Sequence, residues 1–332
     1  MTHDIGSDSA MAPRRQVLLG GLGGVAAAVG ASLVGGAPDT AEAKPHLSSP
    51  GALNMEDGFI TLKDGVRIYY KDWGPKDAQV IFFHHGWPLS ADDWDNQMMF
   101  FLAHGYRVVA HDRRGHGRST QTSTGNDMNT YCADVDQVVN ALGVTGAIHV
   151  GHSTGGGEVC RYAARYGQHG KVKKAVFISA IPPCLGRSEK NPDGVPTEVF
   201  EGIRQGTAYN RQTFYQEITL PFYGFNRPGA KVVKEISDNW WRQGMMGGIK
   251  AAYDCIEVFQ NTEFWEDLPL IDCPVLVMHG EDDQIAPFPI TGAKSWKLVK
   301  DGRLKSYPGF CHGMPATNAD VINKDLLEFV KA

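Results

Sequence analysis

No stretch of the 332-residue chain concentrates positive charge. Lys and Arg total 32 against 37 Asp and Glu, for a net charge of −5. Without a basic face, nucleic acid is a poor partner. Cysteine is sparse and irregularly spaced. Cys132, Cys160, Cys184, Cys255, Cys273 and Cys311 form no C-x-x-C pair and no such pair followed by spaced histidines. That argues against a zinc module and for mostly buried free thiols. Hydrophobic residues at 42 % and charged residues at 21 % are ordinary globular usage, which speaks against disorder and against a multispan membrane protein. At about 150 residues per domain, the length fits two domains or one elaborated α/β domain.

The long uncharged run lies near the start, from Gln16 to Pro38, preceded by Arg14-Arg15 and followed by Ala41-Glu42-Ala43. A charged region, an apolar region and a small-residue cleavage site, in that order, make an export signal. The paired arginines and the many glycines of the run resemble a bacterial twin-arginine leader. An uncleaved membrane anchor is the alternative, since a run of this length just spans a bilayer. Residues 1–43 are therefore expected to be an export leader and the mature protein periplasmic or secreted, or cytoplasmic if the leader does not function. A twin-arginine substrate folds in the reducing cytoplasm first, which also favours free thiols.

From Gly58 onward, short β-branched and aromatic runs bounded by Gly, Asp and Pro alternate with helical stretches. The pattern predicts eight strands: 58–62 and 66–70 as a hairpin turning at Asp64-Gly65, then 79–84, 107–110, 147–150, 174–179, 274–278 and 303–307. Tyr131, Val135, Val138, Val139 and Leu142 recur at helical spacing and stop at Gly143. Such alternation gives a mostly parallel sheet flanked by helices, an α/β fold. Residues 184–266 break the pattern, with no convincing core strand and many aromatics, among them Phe200, Phe222, Trp240 and Phe264. They read as a helical cap inserted after the sixth strand, dividing a core of 44–183 and 267–332. Most of the cap aromatics should pack its own small core, and a minority should line a substrate pocket.

Gly151-His152-Ser153-Thr154-Gly155 fits G-x-S-x-G, a weak string made specific by its place between an apolar strand and a helix. A strand–turn–helix elbow lifts Ser153 above the sheet, and the helix N-terminus supplies unpaired N–H groups for an oxyanion. A serine hydroxyl needs a base held by an acid. His312 follows the last predicted strand and lies beyond the last plausible acid. For that acid, the loop after 274–278 offers Asp283, with Asp282 as its rival. Backbone N–H groups of Trp87 and Thr154 are the candidate oxyanion donors. The pair His84-His85 invites a metal reading, but neighbouring strand residues face opposite ways and no carboxylate stands at ligand spacing, so no metal site is expected. Asp112-Arg113-Arg114-Gly115-His116-Gly117-Arg118-Ser119 reads as a structural turn.

Between about Asp57 and Lys331 the chain resembles the α/β-hydrolase fold, and within it the cofactor-free (non-haem) haloperoxidases, which overlap with aryl esterases and perhydrolases. The resemblance rests on His85-Gly86-Trp87-Pro88, the Asp112–Ser119 string, Gly125-Asn126-Asp127-Met128, Ser153-Thr154-Gly155-Gly156-Gly157-Glu158-Val159 and Phe225-Asn226-Arg227-Pro228-Gly229-Ala230-Lys231. It implies Ser153 as nucleophile, His312 as base and Asp283, rather than Asp282, as acid. It further implies a small acyl substrate, hydrogen peroxide as co-substrate, no cofactor and an oligomer in many members. Departures are the leader and Cys311 beside the base. The expected activity is ester hydrolysis through an acyl-enzyme, with perhydrolysis giving peracids that oxidise halide. Plain esterase action, carbon–carbon bond hydrolysis by the same triad and a non-catalytic receptor on the same fold are the alternatives. Pro88 restricts the backbone of Trp87 and so bears on whether the Trp87 carbonyl can accept a hydrogen bond from peroxide.

Overall fold

A computed structural model describes residues 54–56 and 58–332; the predicted leader lies outside the described residues. Nine strands form one sheet: β1 Asn54–Glu56, β2 Phe59–Thr61, β3 Arg67–Trp73, β4 Val80–His84, β5 Arg107–His111, β6 Ala147–His152, β7 Val172–Ile178, β8 Val275–Gly280 and β9 Gly302–Tyr307. The spatial order is β1-β2-β3-β5-β4-β6-β7-β8-β9. The first three strands pair antiparallel, and β4 to β9 run parallel. The expected count of eight is corrected by β1, which places the helical insertion after the seventh strand. Three residues are too few to show a strand period; β1 exists because Met55 pairs with Ile60 across β2. The hairpin turns at Asp64-Gly65 as expected, with Gly65 at φ +84° and the Asp64 carboxylate accepting the Val66 N–H.

The central strands are buried at every position, so they read as continuous apolar runs covered on both faces. Their alternate side chains go to opposite layers. Phe82 and Val109 pack against helices α2 (Met128–Ala141) and α3 (Thr154–Tyr166) through Tyr131, Val135 and Val159. Ile81, Phe83 and Val150 pack on the other face against Met98 and Phe101 of α1 (Asp95–Ala103). Near the C-terminus, after short helices α9 (Gly292–Ser295) and α10 (Met314–Thr317), α11 (Ala319–Lys331) adds Ile322 and Leu326 to that layer.

The segment 184–266 holds five helices: α4 Thr197–Tyr209, α5 Arg211–Glu217, α6 Thr219–Phe222, α7 Lys234–Met246 and α8 Ile249–Asn261. They lie over the loops that leave the C-terminal ends of the strands. The Trp87 indole donates to the Ala252 carbonyl at 2.8 Å, and Ser90 bonds Gln243 of α7. A Cβ on Gly115 would stand 2.1 Å from that of Ala251, so α8 rests directly on the turn after β5. All six thiols are free, and only Cys273 is not buried. No helix among the described residues is long and apolar enough to cross a membrane.

Candidate active site

Ser153 stands between the end of β6 and the start of α3, with φ +56° and ψ −121°, a region non-glycine residues avoid. The surrounding glycines make that geometry possible. A Cβ on Gly151 would lie 2.2 Å from the Gly155 carbonyl oxygen, and one on Gly155 would lie 2.2 Å from the His84 oxygen and 2.6 Å from that of His85. Each contact is with backbone, so none can be relieved by moving a side chain. The N-terminus of α3 is thereby pressed against the end of β4, where the loop expected to supply an oxyanion donor starts.

His312 and Asp283 are brought together. His312 Nδ1 donates to Asp283 Oδ2 at 2.8 Å, both side chains being fully buried. The other carboxylate oxygen accepts the N–H groups of Ile285 and Ala286 at 2.9 and 2.8 Å. Burial alone would raise the Asp283 pKa, but His312, and hydrogen bonds from His279 and His312, hold it well below the ordinary range. The rival Asp282 points the other way and is clamped by both ends of the Arg227 guanidinium. Its neighbour Gln284 pairs with Asn226 at 2.9 Å in both directions. The 225–231 string therefore seats the acid loop.

Ser153 makes no hydrogen bond to His312 here. Instead, both line one cavity of about 270 Å³, and His312 Nε2 is buried with no partner among the described residues. Trp87 and Thr154 line the same cavity, and neither backbone N–H donates a hydrogen bond among the described residues. Apart from Gln284, the remaining walls are apolar: Ile181, Leu185, Phe200, Phe222, Trp240 and Phe259 among them. Of the insertion aromatics, Tyr215, edge-on to Trp87 and Trp240, and Phe264, packed against Gly157 and Arg161 of α3, are buried and do not line the cavity.

One premise of the sequence reading is overturned. A carboxylate does reach the first histidine: Glu158 of α3 brings one oxygen to 2.9 Å from His84 Nδ1 and 3.2 Å from His111 Nε2. The three ligand atoms lie within 4.8 Å of one another. The separation along the chain hid this, since 74 residues part His84 from Glu158. The second Glu158 oxygen is held by Arg113 at 2.6 Å. With a guanidinium already matching the carboxylate, a metal cation there would face direct repulsion, and the arrangement is an ion-pair network. Burial drives the His84 pKa down to about 4, despite its bond to Glu158. Arg113 also supports the oxyanion loop: its Nη2 donates to the His85 carbonyl, and its backbone N–H donates to His85 Nε2, both at 2.9 Å. The Asp112–Ser119 turn is built around Asp112, whose carboxylate accepts the Ala91 and Arg118 N–H groups at 2.7 Å.

Sequence reasoning missed two more histidines at the site. His279, four residues before Asp283, has its Nε2 2.8 Å from the Ala286 carbonyl and 3.2 Å from Asp283 Oδ2. His152 has its Nε2 3.0 Å from the His312 carbonyl. The first was open to a spacing argument; the second joins residues 160 apart, and no local signal marks it.

The family described as alpha/beta hydrolase fold matches residues 79–319. A bifunctional esterase/perhydrolase of Acinetobacter calcoaceticus is 62 % identical over 276 residues, covering 83 % of this chain and all of that protein. A non-heme chloroperoxidase of Streptomyces lividans is 57 % identical with the same coverage. Among solved structures, a bromoperoxidase from Bacillus anthracis superposes with a TM-score of 0.76 at 33 % identity, over 80 % of this chain and 96 % of that one.

Proposed function

The chain belongs to the alpha/beta hydrolase fold family, in its group of non-heme haloperoxidases and esterase/perhydrolases, and from that premise we propose that it cleaves small, uncharged acyl esters through Ser153 and passes the acyl group to water or to hydrogen peroxide. The observation that carries this reading is the His312 ring. One nitrogen is fixed by Asp283, and the other is bare and buried at the wall of the cavity that Ser153 shares.

His312 Nε2 takes the Ser153 proton as the hydroxyl oxygen attacks the acyl carbonyl. Catalytic hydrogen bonds are commonly long without substrate, so the missing serine–histidine bond closes as the complex forms. Asp283 fixes the tautomer with the proton on Nδ1 and stabilises the imidazolium. The Trp87 and Thr154 N–H groups receive the developing oxyanion, each such donor being worth about 2.7–4 kcal/mol in the transition state. The imidazolium returns its proton to the leaving alkoxide, and the acyl-enzyme remains. Water then releases a carboxylic acid, or peroxide releases a peracid, with His312 again accepting the attacking group's proton. A peracid oxidises bromide or chloride to the hypohalous acid in solution and reverts to the carboxylic acid. The halogenating chemistry is then a consequence of acyl transfer.

The test is covalent. A fluorophosphonate ester should label one serine, located by peptide mass spectrometry at Ser153, and Ser153→Ala should lose both the label and p-nitrophenyl acetate turnover. Label on another serine, or turnover surviving in Ser153→Ala, refutes the assignment. A receptor would keep ligand affinity in that variant and show no turnover in the parent.

A further inference from the structure

His152 stands between Gly151 and Ser153, has no part in the reaction as described, and is fully enclosed. Its Nε2 is 3.0 Å from the His312 carbonyl oxygen. A carbonyl only accepts, so the proton sits on Nε2 and the lone pair on Nδ1. The ring lies 4.8 Å from that of His312 and meets Phe222 edge-on at 5.8 Å. Nδ1 is buried with no hydrogen-bond partner among the described residues. The polar group it faces is Asp93 Oδ2, at 3.9 Å. A buried ring nitrogen left over in this way calls for an explanation.

Asp93 belongs to the 3-10 turn Ala91–Trp94, which continues the oxyanion loop. The basic side chains nearby are taken by its neighbour: Lys71, Arg118 and Arg242 all pair with Asp92. Burial, reinforced by Asp95 and Asp92, pushes the Asp93 pKa up to about 7. Tyr223 is the other titratable group influenced by it. Burial pulls His152 down to about 3, helped by His312 and His279 and opposed by Asp283. In neutral solution His152 is therefore uncharged, and Asp93, 3.9 Å from the bare Nδ1, stands beyond hydrogen-bond reach and acts on the ring through its charge.

We propose that His152 and Asp93 form a second histidine–aspartate pair, which positions the base from its backbone side: His152 holds the His312 carbonyl, and Asp93 sets the charge behind it. The proposal rests on His312 being the base. Two consequences follow. Losing the bond to the carbonyl loosens the base without touching the substrate cavity, so kcat falls and KM does not. When Asp93 loses its proton through neutrality, a carboxylate lies behind the tilted pair of rings, and a negative charge there favours a cationic base.

The experiment compares His152→Phe, His152→Gln, Asp93→Asn and His312→Ala with the parent, using p-nitrophenyl acetate from pH 5 to 9 and thermal unfolding as a check of the fold. Phe keeps a ring and removes the donor, while Gln restores an N–H close to the Nε2 position. His152→Phe should lose roughly tenfold in kcat, the size of one hydrogen bond, with KM within about twofold, and His152→Gln should recover most of that loss. Asp93→Asn should move the acid limb of kcat/KM to lower pH by roughly 0.3 unit or more, since a nearby negative charge is gone. A His152→Phe enzyme with kcat within about twofold of the parent, or an Asp93→Asn profile superimposable on it, overturns the pair. If His152→Phe fails to fold, the Asp93→Asn profile decides. Should His312→Ala keep its turnover, the base assignment itself falls; if His312→Ala is dead while His152→Phe is normal, only the pair falls.

Discussion

Glu158→Gln tests how the oxyanion loop is held. The side chain is completely buried and serves three partners: Arg113 at 2.6 Å, His84 at 2.9 Å and His111 at 3.2 Å. The amide has nearly the same shape, so no cavity forms, but the Arg113 guanidinium, 1 % exposed, loses its only matching charge. Removing one partner of a buried pair costs about 3–5 kcal/mol, because the other charge stays uncompensated in low dielectric. At about 2–4 °C per kcal/mol for a domain approaching this size, melting should fall by roughly 6–20 °C. Glu158→Gln/Arg113→Gln should recover part of that loss, since no lone charge remains. The pH dependence has a fixed sign. Burial alone would raise Glu158, but Arg113, with hydrogen bonds from His111 and His84, holds it well below the usual range. A carboxylate depressed in the folded state stabilises above its unfolded pKa of about 4.3, and that contribution drains away as pH falls toward the folded value. The stability gap between parent and variant should therefore be full at pH 7 and narrow in acid. Thermal unfolding read by circular dichroism at pH 7 and pH 3.5 measures both. A loss under about 2 °C at pH 7, or a gap that widens in acid, refutes the charge-pair account.

Asp283→Asn should lower kcat by about 10⁴-fold, because the amide favours the wrong histidine tautomer. Asp282→Asn, which weakens the exposed Arg227 pair but leaves the Asn226–Gln284 pair to seat the acid loop, should change it less than about threefold; steady-state esterase kinetics separate the two, and equal effects would reject the acid assignment. Gly155→Ala places a Cβ 2.2 Å from the His84 oxygen, so α3 must back away from β4; soluble protein, if obtained, should retain under about one percent of the esterase activity, and normal turnover would show that the close approach is not needed. Pro88→Leu frees the backbone of Trp87 and should change the ratio of peracid formation to hydrolysis; an unchanged ratio removes the Trp87 carbonyl from any role with peroxide.

Much of this architecture is written locally. Eight of the nine strands stand out as apolar or alternating runs cut by Gly, Asp and Pro, and the elbow follows from two glycines around a serine at a strand–helix junction. The absence of strand signal between 184 and 266 marked the helical insertion. What stayed hidden depends on contacts between distant residues. Asp282 and Asp283 are chemically alike in the sequence, and contacts with distant residues separate them: Arg227 of the insertion takes Asp282 outward, and His312 takes Asp283 inward. Glu158 reads as an ordinary helix acid until His84, His111 and Arg113 close around it. The pocket's Ile and Val positions carry no signal of their own, since an apolar side chain in a helix looks the same facing a core or a cavity. Phe200 and Trp240 reach the cavity while Tyr215 and Phe264 do not, a division that composition does not show.

The central claim is that a single serine runs both hydrolysis and perhydrolysis. It is tested most directly by peracid formation from acetate and hydrogen peroxide with residues 44–332, alongside Ser153→Ala. The account predicts peracid from the parent, none above background from the variant, and bromide oxidation that appears only where peracid does. Peracid from Ser153→Ala, or bromide oxidation by the parent without any carboxylic acid present, would contradict it.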